Sequence, residues 1–113
     1  MSKLTIKKYQ EYLENVYKNR NNDQGLFIKL VEEIGEVAEQ ISVRDGRKDG
    51  DKEAVIEELG KELADVIHYT IAIAGVNRID LEKVILEKDL RAAIKYQHST
   101  NLMEYIEQTT KND

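Results

Sequence analysis

Apolar residues recur every three or four positions in this chain, and no proline interrupts them along its 113 residues. That period belongs to amphipathic helices, and no segment offers the strict alternation of a strand. Two stretches carry the pattern most clearly. They are Leu30-Val31-Glu32-Glu33-Ile34-Gly35-Glu36-Val37 and Leu59-Gly60-Lys61-Glu62-Leu63-Ala64-Asp65-Val66. At an offset of 29 residues, Leu30 matches Leu59, Glu33 matches Glu62, Ile34 matches Leu63, Glu36 matches Asp65 and Val37 matches Val66. At an offset of 25, Glu32-Glu33-Ile34-Gly35 also resembles Glu57-Glu58-Leu59-Gly60, but Lys61 then falls opposite Glu36. The first register is preferred because it keeps both acids and their angle to the core.

A helix turns about 100° per residue. In the first stretch the apolar arc comprises Leu26, Leu30, Ile34, Val37 and Ile41, flanked by Phe27, Val31 and Ala38. Glu33 lies about 90° from the centre of that arc and Glu36 about 150°. In the second the arc comprises Leu59, Leu63, Val66 and Ile67, with Ile56, Thr70, Ile73 and Ala74. Glu62 and Asp65 fall at the same two angles, about 90° and about 150°. Packed antiparallel, the two helices bring four carboxylates together at the edge of the core. Such a group stays ionised only if a cation joins it. An all-oxygen ligand set suits Mg²⁺, or Mn²⁺, rather than zinc. An isolated pair of this kind is ordinarily a solvated helix face. Two pairs with matching geometry are more informative. Glu32, Glu39 and Glu57 point away from the core. Glu58, one turn before Glu62 on nearly the same flank, can bind the ion or assist as a general base.

Charged residues make up 35% and hydrophobic ones 41%, which fits an all-helical chain. The net charge of −5 disfavours a nucleic-acid backbone as partner. It does not disfavour a nucleotide delivered with a metal ion, which reverses the local field. With no cysteine, disulfides, thiolate zinc sites and cysteine nucleophiles are excluded. No signal peptide is visible, because Met1 to Thr5 run straight into an amphipathic pattern. The most apolar run, Ala64 to Val76, is broken by Asp65, His68 and Tyr69 and is too short to span a bilayer. A soluble cytoplasmic protein with no membrane partner is expected.

Thr5 is placed to cap a first helix to about Arg20, with Tyr9, Tyr12, Leu13, Val16 and Tyr17 on its buried face. Asp23 is placed to cap a second helix reaching about Val43. A loop with turn chemistry follows, from Asp45 to Asp51. The third helix runs from about Lys52 to Ala74, where Gly75 is positioned to stop it. Asp80 starts a fourth helix, to about Tyr96, through Leu81, Val84, Ile85, Leu90 and Ile94. Ser99 or Thr100 starts a short last helix, and Thr109 to Asp113 are expected to fray. The fold expected is an all-α four-helix bundle with a short extra C-terminal helix. It forms a single domain over 1–113, with a core at about 5–97 and a peripheral helix and tail at 98–113.

The segment Lys29 to Glu39, followed by Glu57 to Val66, resembles the MazG-like nucleotide pyrophosphohydrolases. These belong to the all-α nucleoside triphosphate pyrophosphatase superfamily, which also includes dimeric dUTPases. The shared signature is E-x-x-E on one helix and E-x-x-D on the next, and the resemblance spans about Thr5 to Tyr96. It implies that Glu33, Glu36, Glu62 and Asp65 bind Mg²⁺, and that Glu33 or Glu36 takes the proton of the attacking water. It also implies hydrolysis of a ribo- or deoxyribonucleoside triphosphate to the monophosphate and pyrophosphate, as in house-cleaning of non-canonical nucleotides. Relatives form dimers or tetramers with sites completed across the interface, which implies a homodimer or homotetramer. Tyr69, one turn beyond Asp65, stands where relatives often place a nucleotide contact, and a core-edge tyrosine is its alternative reading. Lys29 can reach a phosphate or pair with Glu32 or Glu33. Many relatives carry a lysine followed one turn later by an asparagine on the fourth helix. Here Lys88 is followed by Ala92. Lys88, Arg91 and Lys95 are therefore either phosphate contacts or a solvated basic face.

Two other readings stand beside this one. Asp65 and His68 have the spacing of a di-iron ligand pair, but the second Glu-x-x-His that such a bundle needs is absent. His68 is expected on the outer side of its helix. The functional alternative is a non-catalytic helical interaction or regulatory module in which the acids form a solubilising face.

Overall fold

The computed structural model describes residues 3–19 and 22–110. Five α-helices and no strand occur among them: α1 Ile6–Val16, α2 Gln24–Arg44, α3 Val55–Val76, α4 Leu81–Lys95 and α5 Leu102–Thr110. The all-helical fold expected from the periodicity is the one observed. The chain divides into two compact units, Met1–Ile79 carrying α1 to α3 and Asp80–Asp113 carrying α4 and α5.

In the first unit α3 is the central element, packed against both α1 and α2. Helix α1 starts where Thr5 Oγ1 accepts a hydrogen bond from the Lys8 amide at 3.0 Å. It buries Gln10 and Leu13 and half-buries Tyr9 and Tyr17. Tyr12 and Val16, expected on the buried face, are exposed because α1 packs chiefly on α3 and only a narrow arc is covered. The expected end at Arg20 lies outside the described residues.

Asp23 occupies the N-cap of α2 without capping it through its side chain. The Asn22 side chain accepts from the Gln24 amide instead, at 3.2 Å. The Asp23 carboxylate accepts from Asn77 Nδ2 at 2.7 Å, tying the start of α2 to the end of α3. The two helices therefore run antiparallel. The connection between them turns at Gly46, whose φ of +78° is cheap only for glycine. Asp51 then accepts from the amides of Glu53 and Ala54, which delays α3 to Val55 rather than Lys52.

Gly75 does not stop α3. It lies inside the helix and is buried, and a Cβ there would meet Glu14 Cγ at 2.9 Å, so it permits the close approach of α1. The stop comes two residues later, with Asn77 as C-cap and Arg78 at φ +57°. The Ile79 amide reaches back to the Ala74 carbonyl at 2.9 Å, the six-to-one bond of a Schellman end. Leu13, Leu26, Val43, Val55, Ile71, Ala72 and Ala74 form the buried apolar core of this unit.

In the second unit, Asp80 caps α4 by accepting from the Lys83 amide at 3.2 Å, as expected. Gln97 at φ +56° ends the helix with the same Schellman bond, His98 amide to Ala93 carbonyl. Helix α5 begins at Leu102 rather than Ser99 or Thr100. The Asn101 side chain accepts from the Glu104 amide, and Asp89 on α4 accepts from the Leu102 amide at 2.6 Å. The fraying expected from Thr109 is not seen as far as Thr110, and 111–113 lie outside the described residues. Among the described residues no helix is long and apolar enough to cross a membrane.

Candidate metal centre

Glu33 faces α3 from the middle of α2, and Glu62 and Asp65 face α2 from the middle of α3. Glu33 and Glu62 are half-buried and Asp65 is exposed. One carboxylate oxygen from each lies within 4.8 Å of the others. Glu36 stands one turn further along α2, and its charge acts on Glu62. Glu39 follows Glu36 by one helical turn. Glu39 is held below its ordinary carboxylate value, first by its 2.6 Å bond to Lys48. The structure thus gathers three of the four expected acids at one point and puts the fourth beside them.

Helix pitch explains the convergence. Acids three apart on each helix share a flank, and antiparallel packing sets the two flanks against each other. The resulting groove gathers like charge. Glu62 is pushed up to about 7, first by its hydrogen bond with Glu33, then by desolvation and by the charges of Glu33, Glu36 and Asp65. A hydrogen bond between two carboxyls requires a proton, so this groove keeps one close to neutral pH. Carboxylate oxygens this close can serve as the donor set of a hard divalent cation. The residues present fit Mg²⁺ or Mn²⁺.

The remaining candidates are placed as follows. Lys29 lies one turn before Glu33 and pairs with Glu32 at 3.1 Å. Glu32 holds the Lys29 ammonium above its ordinary value, and Tyr69 and Glu33 add to the effect. Lys29 and Tyr69 therefore lie near each other at one end of the acid cluster. Glu58 is drawn to Lys61 at 3.3 Å and is not among the three converging acids. Lys88 is exposed on α4, in the second unit.

His68 was expected on the outer side of α3, and the structure corrects this. Its ring is half-buried against α1, with Nδ1 at 3.4 Å from the Tyr9 hydroxyl and Nε2 at 2.8 Å from that of Tyr17. The acids had set the inner side of α3 by their angle to α2, whereas α1 packs on a second face. Tyr9 and Tyr17 on the buried side of the first helix were the available signal.

The other flank of the α2–α3 pair is apolar and open. By the helical step, Phe27, Val31 and Ile34 on α2 lie opposite the acids, as do Ile56, Leu63 and Ile67 on α3. Ile34, Leu63 and Ile67 had been expected in the core, yet they are 51%, 46% and 50% exposed.

An all-helical chain with a cluster of acids able to hold a divalent cation is the class defined by these features. The family model described as the MazG nucleotide pyrophosphohydrolase domain matches residues 21–91. The chain belongs to that family. No curated protein and no solved structure matches it significantly.

Proposed function

We propose that the protein is a Mg²⁺-dependent nucleoside triphosphate pyrophosphohydrolase, releasing a nucleoside monophosphate and pyrophosphate. The observation that carries this reading is the convergence of Glu33, Glu62 and Asp65 across α2 and α3, within the segment matched to the family. These three acids, with Glu36 beside them, would hold Mg²⁺, Mn²⁺ being the substitute of similar chemistry. The ion would neutralise the triphosphate and make water more acidic.

The chain's own residues supply the rest. Glu33 or Glu36 accepts the proton of a water attacking the α-phosphorus, and the bond from that phosphorus to the α,β-bridging oxygen breaks. Lys29 and Tyr69 contact the substrate at their end of the groove. Glu58 is the reserve ligand or base. Non-canonical or excess nucleotides of the cytoplasm are the proposed substrates. The family match runs across the division between the two units, which supports reading 1–113 as one domain.

The open apolar flank supports self-association into a dimer or tetramer, since large exposed apolar patches mark interfaces. The reaction is tested by hydrolysis in H₂¹⁸O with ³¹P detection. Label in the monophosphate, with unlabelled pyrophosphate, is expected. Label in free phosphate would refute attack at the α-phosphorus.

A further inference from the structure

We propose that His68 is a positioning residue, clamped between the hydroxyls of Tyr9 and Tyr17, that fixes the ring of Tyr69 for contact with the nucleotide. This rests on the substrate contact proposed above for Tyr69. The clamp uses both ring nitrogens, 3.4 Å from Tyr9 and 2.8 Å from Tyr17. Both tyrosines meet the imidazole edge-on, with ring centroids at 6.2 and 5.9 Å. A hydroxyl can donate or accept, so one tyrosine donates to the bare nitrogen while the other accepts from the N–H, whichever tautomer is present.

An imidazole held at both nitrogens cannot change rotamer without breaking two hydrogen bonds. The His68 ring then stands edge-on to Tyr69, at 4.9 Å between centroids and 74° between planes. Aromatic pairs at that distance and angle are attractive, so the orientation of Tyr69 follows that of His68. Tyr69 projects from α3 one turn beyond Asp65, and Lys29 lies near it across from α2. The clamp thus connects α1, which carries none of the acids, to the Lys29 end of the groove. No atom of His68, Tyr9 or Tyr17 is needed to hold a cation or move a proton. Their effect is confined to how well the nucleotide is held. A loosened Tyr69 would cost affinity through the entropy of re-ordering its ring at each binding event.

The test uses Tyr17→Phe, the double variant Tyr9→Phe/Tyr17→Phe, and His68→Leu, which keeps much of the volume without the hydrogen bonds. The probe is whichever canonical nucleoside triphosphate the wild type hydrolyses fastest, with its α,β-methylene analogue for calorimetric binding in Mg²⁺. The double variant should raise KM and the analogue's Kd by about 3- to 10-fold, with kcat and the half-saturating Mg²⁺ within about 2-fold. His68→Leu should match it, and Tyr17→Phe alone should give a smaller rise in the same direction. The proposal is overturned if the folded tyrosine variants keep the wild-type KM and Kd, whatever their melting temperature. It is also overturned if kcat falls while KM stays unchanged. Wild type that neither binds nor hydrolyses any nucleotide would refute the proposed function itself. Wild type that does both beside unaltered variants refutes only the clamp.

Discussion

Replacing Glu62 by glutamine should stabilise the ion-free protein at alkaline pH and leave it almost unchanged near pH 5. The folded chain raises Glu62 from 4.5 to about 7. Between those two values the folded state keeps a proton that the unfolded chain has released. Stability therefore falls as pH rises through the window from 4.5 to about 7, and stays reduced above it. Taken in full, that displacement corresponds to about 3 kcal/mol. Glu62 borders solvent, where water and salt screen most of the effect, and about 1 kcal/mol remains. Glutamine mimics the protonated side chain, so the variant should recover about that much near pH 8, a rise in Tm of about 4 °C. Circular-dichroism melts in EDTA near pH 5 and pH 8 measure it. With about 10 mM Mg²⁺ and a Kd of about 1 mM, the wild type should gain about 1.4 kcal/mol, and the variant less than half of that. An equal effect of the substitution at both pH values, or a loss of stability at pH 8, would refute the idea that carboxylate repulsion is stored in this groove.

Other outcomes follow from the same structure. Asp65→Asn should lower kcat at least about 100-fold with a wild-type helical spectrum, since it removes a charge from the cluster and nothing from the core; turnover assays beside circular dichroism check this. Leu13→Ala should cost about 2 to 4 kcal/mol in urea unfolding, because Leu13 is 1% exposed at the junction of α1 and α3. Gly75→Val should cost about 1 to 3 kcal/mol by pushing Glu14 and α1 away from α3, read as a lower urea midpoint. Ile34→Glu/Ile67→Glu should shift the protein toward monomer in light scattering after gel filtration, since both residues lie on the open apolar flank.

The helices were legible in the sequence because each carries a 3.6-residue apolar period with polar breaks between. The candidate site was legible because matched spacing and angle on two helices leave few ways for Glu33, Glu62 and Asp65 not to meet. Periodicity could not separate residues that face the core from residues that face outward. Ile34, Leu63 and Ile67 sit within the apolar arc of their helices, but that arc is wider than the strip one neighbouring helix covers. Nor could it show that α3 has two packed faces, so His68 was read as an outer residue although α1 covers it. Gly75 illustrates the same difficulty. A glycine near a helix end reads as a stop, and only the packing of Glu14 against it reveals a close approach.

The most direct test of the proposed chemistry is pyrophosphate release from a panel of canonical and modified nucleoside triphosphates, with and without Mg²⁺, for wild type beside Asp65→Asn. The expected result is release that requires the metal, favours some members of the panel, and is lost in the variant. Phosphate release without pyrophosphate, or undiminished turnover by Asp65→Asn, would contradict a metal-dependent pyrophosphohydrolase built on these carboxylates.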